Sequence, residues 1–208
     1  MKKRRLLTAM LALWFGLPSF AEVYEGTCGE NVRYSLDTET GVLALTGEGI
    51  ISSSTYTVPL PWDAHKKSIK KIEADEGIEF PQFDWLAGCE SIVEPQYNKT
   101  TFIYLPRNYR SSSYNYGAPA GIKVIAPYAF SKCQKVWNIY INAGCEVIGK
   151  NAFSACPDLE DVHLPSTVKE IGENAFYNCK MLRKLNMPEG VESKLFPLLQ
   201  CPYGRRVQ

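Results

Sequence analysis

The chain has 208 residues, 45% of them apolar, with 23 Lys and Arg against 22 Asp and Glu. That length and balance suit one compact domain or two small ones and exclude a disordered tail. A formal net charge of +1 leaves no basic surplus to hold a phosphate backbone, so no nucleic-acid partner is expected.

Lys2, Lys3, Arg4 and Arg5 precede an apolar run from Leu6 to Leu17, and Pro18, Ser19, Phe20 and Ala21 form a small-x-small cleavage pattern before Glu22. Residues 1–21 therefore read as a secretory signal peptide. The apolar run is about a dozen residues, short of the roughly 20 that span a bilayer, so no transmembrane anchor is expected in the mature chain. Removal of the leader deletes four positive charges and no acidic ones, taking the formal charge from +1 to −3. The expected location is exported: secreted, cell surface or periplasmic.

Residues 22–64 read as a β-rich N-terminal cap. Val32, Tyr34 and Leu36 alternate, Asp37 to Gly41 supply turn residues, and Val42 to Leu45 form a second strand, which together make a β-hairpin. Residues 65–121 read as a degenerate start to a repeat array. Ile69, Ile72, Ala74 and Ile78 give a strand and turn, Leu86, Cys89 and Ile92 keep part of the later pattern, and Phe102 to Leu105 give a strand ending at Pro106. Residues 107–121, rich in Tyr and Ser, read as an inserted loop.

From residue 122 to 191 the periodicity is regular. Phe130, Phe153 and Phe176 are 23 residues apart, as are Ala129, Ala152 and Ala175, then Cys133, Cys156 and Cys179. Val136, Leu159 and Leu182 keep the same offset, as do Ile139, Val162 and Leu185. Each unit reads I-x-x-x-A-F-x-x-C-x-x-L-x-x-V-x-L-P, and its L-x-x-V-x-L part is the strand segment of a leucine-rich repeat. The Ala-Phe step is expected on a short helical turn opposite that strand. The expected fold is an α/β repeat solenoid, a short stack of about 23-residue units, closed by a C-terminal cap over residues 192–208 with Phe196, Leu198 and Leu199 available to cover the last rung.

Seven cysteines in an exported chain invite a disulfide reading. Cys133, Cys156 and Cys179, however, fall in one interior row about 4.8 Å apart, wider than the usual Cβ separation of a disulfide. A ladder of buried free thiols is expected, with Cys145 packed like Ile122 and Val168 of the neighbouring units. Cys28, Cys89 and Cys201 are less constrained. No C-x-x-C pair exists, so no metal site is expected.

The runs Ile171-Gly172-Glu173-Asn174-Ala175-Phe176-Tyr177-Asn178-Cys179-Lys180-Met181-Leu182, Ile148 to Leu159, and Val162-His163-Leu164-Pro165-Ser166-Thr167-Val168 resemble the BspA-like leucine-rich repeat surface antigens. Cys28-Gly29-Glu30-Asn31-Val32, with Pro61-Trp62 and Ile69-Lys70-Lys71-Ile72, resembles the segment that precedes the repeats in such proteins. The resemblance implies an adhesin or binding scaffold, with some members recognising host extracellular matrix proteins.

Outward strand positions of adjacent units stand in three rows: Trp137, Glu160 and Arg183; Asn138, Asp161 and Lys184; Tyr140, His163 and Asn186. Trp, Tyr and Arg are the types that most often carry interface energy, so this face is the first candidate for a protein or glycan ligand. Tyr109, Tyr114 and Tyr116, in the Tyr/Ser-rich stretch, are the second. Catalytic residues and cofactors are not expected. Two alternatives stay open: a periplasmic scaffold or oligomer subunit, and an exported hydrolase using His163 with its neighbouring carboxylates.

Overall fold

A computed structural model describes residues 2–5, 22–52, 59–109 and 113–193. The apolar run from Leu6 to Leu17, Cys201 and the expected C-terminal cap residues Phe196, Leu198 and Leu199 lie outside the described residues. The chain divides into two units, residues up to 79 with 86–92, and residues 80–85 with 93 onward. Among the described residues no helix is long and apolar enough to cross a membrane.

The first unit contains the expected hairpin. Strands β1 (Lys2–Arg5), β2 (Glu22–Thr27), β3 (Val32–Asp37) and β4 (Val42–Gly47) form an antiparallel series, and two further short strands follow, β5 (Gly49–Ile50) and β6 (Lys71–Ala74). β6 joins the sheet parallel to β4, and β7 (Ile78–Glu79) pairs in parallel with β5. Alternation sends Val32, Tyr34 and Leu36 inward, where Tyr34 meets the buried Trp62 edge-on at 5.5 Å. The Asp37 carboxylate accepts hydrogen bonds from the amides of Glu39 and Thr40, which closes the hairpin turn.

The second unit is a parallel β-solenoid. β8 (Gln96–Tyr97) and β9 (Thr101–Tyr104) pair antiparallel; thereafter each turn contributes one strand to each of two parallel sheets. One sheet holds β10 (Asn115–Gly117), β12 (Asn138–Tyr140), β14 (Asp161–His163) and β16 (Lys184–Leu185), with β11 (Val124–Ile125), β13 (Val147–Ile148), β15 (Glu170–Ile171) and β17 (Glu192–Ser193) continuing from β9 in the other. Register partners lie 23 residues apart, as in Asn138 with Asp161 and Val124 with Val147, until Glu170 meets Glu192 at an offset of 22.

The expected helical turn is not there, and the α/β label is corrected accordingly. Among the described residues the only helix is a 3-10 helix over Asp63–Ser68, in the first unit. The Ala-Phe step is a tight turn with two left-handed residues per unit, at Tyr128, Asn151 and Asn174 and again at Lys132, Ala155 and Asn178. Left-handed residues interrupt a right-handed helix wherever they fall. The amides at 128, 130 and 132 donate instead to the carbonyls of Lys150, Ala152 and Ser154 in the next turn, at 3.0, 2.7 and 2.9 Å. Inter-turn bonds thus take every second donor, while the amides of Ala129, Ser131 and Cys133 bond three residues back within the turn at 3.2, 3.0 and 3.1 Å.

The interior is a column of aromatic rings. Phe102, Phe130, Phe153 and Phe176 stack at 4.6, 4.9 and 5.1 Å, all of them buried. The offset of 23 from Phe130 leads back to Arg107, so the first rung is filled instead by Phe102 of β9. Beside the column, the Cys156 thiol donates to the Phe130 carbonyl at 3.0 Å and the Cys179 thiol to the Phe153 carbonyl at 2.9 Å. The six described cysteines are buried, Cys28, Cys133, Cys145, Cys156 and Cys179 as free thiols, and Cys145 lies between Ile122 and Val168 in a buried row. Turns approach so closely that a Cβ on Gly149 would stand 2.6 Å from the Pro127 nitrogen and 2.8 Å from the Ile125 carbonyl oxygen.

Gly149→Ala is therefore expected to cost about 1–3 kcal/mol, the penalty of overpacking, read as a lower urea midpoint. Gly117→Ala, where a Cβ meets nothing within 4 Å, is the control and should leave the midpoint unchanged. The buried thiols predict a pH dependence as well. Burial pushes the Cys133 and Cys156 thiols up, and Cys145 to about 11. In the unfolded chain thiols ionise near about 8.5, so above that pH the unfolded state loses protons that the folded state keeps. Contact with the Cys156 thiol pulls Cys179 down, so those two partners oppose each other and the net effect falls to Cys133 and Cys145: stability should fall from about pH 8.5 upward, by up to about 1.4 kcal/mol per pH unit for each fully buried thiol. Chemical denaturation across that range measures it; a level profile would contradict the packing of the ladder.

Candidate functional site

The sheet of β10, β12, β14 and β16 turns its alternate side chains outward, and inter-turn hydrogen bonds keep those side chains in rows. The Trp137 amide donates to the Tyr114 carbonyl at 2.7 Å, that of Glu160 to Trp137 at 2.8 Å and that of Arg183 to Glu160 at 2.8 Å. The first row is thus Tyr114, Trp137, Glu160 and Arg183. Register sets Asn115, Asn138, Asp161 and Lys184 in the second row, and Gly117, Tyr140 and His163 in the third.

Two aromatic pairs flank the polar middle row. Tyr114 and Trp137 stack at 4.5 Å with planes 16° apart, and Tyr140 and His163 stack at 4.4 Å with planes 10° apart. Between them the Asn138 side-chain amide donates to the Asn115 side-chain carbonyl at 2.6 Å. Nε2 of His163 lies 3.1 Å from the half-buried Asp161 carboxylate, which orients the imidazole. Trp137 and Tyr140 keep 46% and 42% of their surface exposed, well above the interior rings of the same turns.

The structure narrows the predicted set. Trp137, Asn138, Tyr140, Glu160, Asp161, His163, Arg183 and Lys184 all lie on this face. Asn186 is committed to the backbone: its amide donates to the Leu164 carbonyl at 2.6 Å and accepts from the Leu164 amide at 2.9 Å. The loop candidates separate. Residues 115–117 are strand β10, in register with β12, so this part of the expected insertion is a turn of the solenoid. Tyr116 is a core residue on the Ile139 rung, edge-on to Phe102 and Phe130, and is withdrawn as a surface candidate. Tyr109 packs edge-on against Tyr116, while Tyr114 belongs to the sheet face. Residues 110–112 lie outside the described residues.

Sequence reasoning missed Tyr114, Asn115 and Gly117 as members of the rows. The signal was present, since the offset of 23 carries Trp137-Asn138-Ile139-Tyr140 back onto Tyr114-Asn115-Tyr116-Gly117 with Tyr116 at the apolar rung. Among the described residues no group of three or more His, Cys, Asp or Glu side chains is arranged to hold a metal ion.

Two parallel sheets wound from one recurring turn, a ring column inside and ordered rows outside, define a β-solenoid repeat protein. Residues 101–195 match the BspA type leucine rich repeat region in six copies. The chain thus carries a BspA-type leucine-rich repeat array over a little less than half of its length. Similar solved structures include a leucine-rich repeat protein from Eubacterium ventriosum, 14% identical, with 80% of this chain and 73% of that one covered and a TM-score of 0.44. A leucine rich cell surface protein from Faecalibacterium prausnitzii is 20% identical over 60% of this chain, with a TM-score of 0.46, and the pneumococcal vaccine antigen PcpA is 27% identical over 60%, with a TM-score of 0.45. The chain covers 35% and 32% of those two proteins. No curated protein matches its sequence.

The face offers its own spectroscopic reporter. Of the described tryptophans, Trp62 and Trp85 are 0% and 2% exposed and Trp137 is 46% exposed, so Trp137 dominates solvent quenching among them. Tyr114→Ala uncovers one face of the Trp137 ring at a cost of about 0.5–1.5 kcal/mol in stacking. The acrylamide quenching constant should rise; an unchanged constant would show that the two rings do not stack.

Proposed function

We propose that the chain is an exported interaction module that holds a protein or glycan partner on the exposed sheet face and carries out no chemistry of its own. The observation that carries this reading is the position of Tyr114, Trp137 and Tyr140, three exposed large rings gathered on one sheet face. Clustered exposed apolar surface with a polar surround marks interaction sites, and Trp and Tyr are the residues that most often anchor them.

The leader pattern of residues 1–21 supports export, to the cell surface, the periplasm or the medium. In that reading β1 departs with the leader and β2 becomes the sheet edge of the mature chain. The family resemblance adds host extracellular matrix proteins to the partners worth testing. His163 has a carboxylate neighbour in Asp161, and the stacking of its ring on Tyr140 fits a wall of the binding face better than a proton shuttle.

The test is capture of partners from extracellular extract by the mature chain and by a Trp137→Ala, Tyr140→Ala double variant. Loss of anchors of this type is expected to lower affinity by about 30-fold or more, with the melting temperature within a few degrees of the parent. Equal capture by both proteins would exclude the sheet face as the binding surface.

A further inference from the structure

The third row is interrupted at its first position. Gly117 pairs with Tyr140 across β10 and β12 but carries no side chain, and a Cβ placed there meets nothing within 4 Å. Tyr140 has one ring face covered by His163, and its neighbour on the other side in the row, Gly117, contributes no side chain. In the first row the corresponding step is filled, with Tyr114 lying on Trp137. The result is an open position in the row beside Tyr140, a slot where the first row has a ring.

The surroundings of the slot select the ligand. The row positions of the first two turns, Tyr114, Asn115, Gly117, Trp137, Asn138 and Tyr140, carry no formal charge. Charged groups begin in the third turn with Glu160 and Asp161 and continue in the fourth with Arg183 and Lys184. The Asn115 and Asn138 side chains use one donor and one acceptor on each other, which leaves further amide donor and carbonyl acceptor capacity. A pyranose presents an apolar C–H face to an aromatic ring and a rim of hydroxyls to amides and carboxylates. The row positions themselves offer a charged polymer no counter-charge.

We propose that the first two turns of the sheet bind a neutral oligosaccharide, with one sugar ring seated on Tyr140 in the slot left by Gly117 and its hydroxyls bonded to Asn115 and Asn138. This rests on the sheet-face reading above and names the ligand class for it. Asp161, at the border of the neutral zone, accepts hydroxyls of the next sugar.

The experiment titrates the mature chain with neutral tetrasaccharides of glucose, galactose, mannose, xylose and N-acetylglucosamine, following Trp137 emission and the heat of binding. At least one of them is expected to bind saturably below about 10 mM. Gly117→Tyr, which fills the slot and removes no binding group, should weaken that binding by about 30-fold or more with unchanged melting, whereas Tyr140→Phe keeps it. No binding across the panel, or binding indifferent to Gly117→Tyr, overturns the inference. Captured partners treated with glycosidases separate its failure from that of the sheet-face reading. Capture that depends on Trp137 and Tyr140 and survives deglycosylation leaves the face as a protein-binding surface and overturns the glycan assignment; loss of capture on deglycosylation supports it.

Discussion

The solenoid depends on one constraint, the backbone hydrogen bonds that hold equivalent residues of adjacent turns together. From Phe130 to Ala152 and from Phe153 to Ala175 the amide of one turn reaches the carbonyl of the next at 2.7 and 2.8 Å. The repeat distance that follows is close to the roughly 4.8 Å between strands in any sheet. Aromatic rings stack comfortably at that distance, so the interior column of phenylalanines and the exterior pairs on the sheet face are two expressions of the same spacing. Gly149 and Gly172 belong to the same constraint, because any side chain there would push against the backbone of the preceding turn.

The buried side of the repeat was legible because it is repeated strictly. Phe130, Phe153, Phe176 and their cysteines announce a stacked interior row, and the alternation of Val162 and Leu164 with Asp161 and His163 separates inside from outside. The turn chemistry was harder to read. Asn151, Asn174 and Asn178 are the residues that best tolerate a left-handed backbone, yet Tyr128, Lys132 and Ala155 occupy equivalent positions without that signature. A short Ala-Phe step resembles the start of a helix locally, and only inter-turn hydrogen bonds decide against it.

The first turn was obscured for a different reason. Arg107 stands where the repeat calls for phenylalanine, and Phe102 fills the rung from another point in the chain, so the pattern lapses in the sequence just where the structure continues. Tyr116 shows the other half of the problem: a tyrosine among serines and asparagines reads as surface, although its ring lies on the apolar rung of Ile139. On the exposed face, by contrast, the rows from Trp137 onward followed directly from the period. What composition could not convey was the commitment of single groups, such as the Asn186 amide tied to Leu164 or the Asn138 amide tied to Asn115.

The offset of 23 residues also makes the length of the array a whole-number quantity. Duplicating the segment from Val147 to Lys169 would add one strand to each parallel sheet, one ring to the interior column and one column of side chains to the exposed face, leaving every other contact in place. The reach of that face would grow in steps of about 4.8 Å, one strand at a time. Partial duplications have no such outlet, since a shift of a single residue would send the Phe and Cys rungs to solvent. A solenoid built on this unit can lengthen its exposed face by copying whole turns while the chemistry of each turn varies independently.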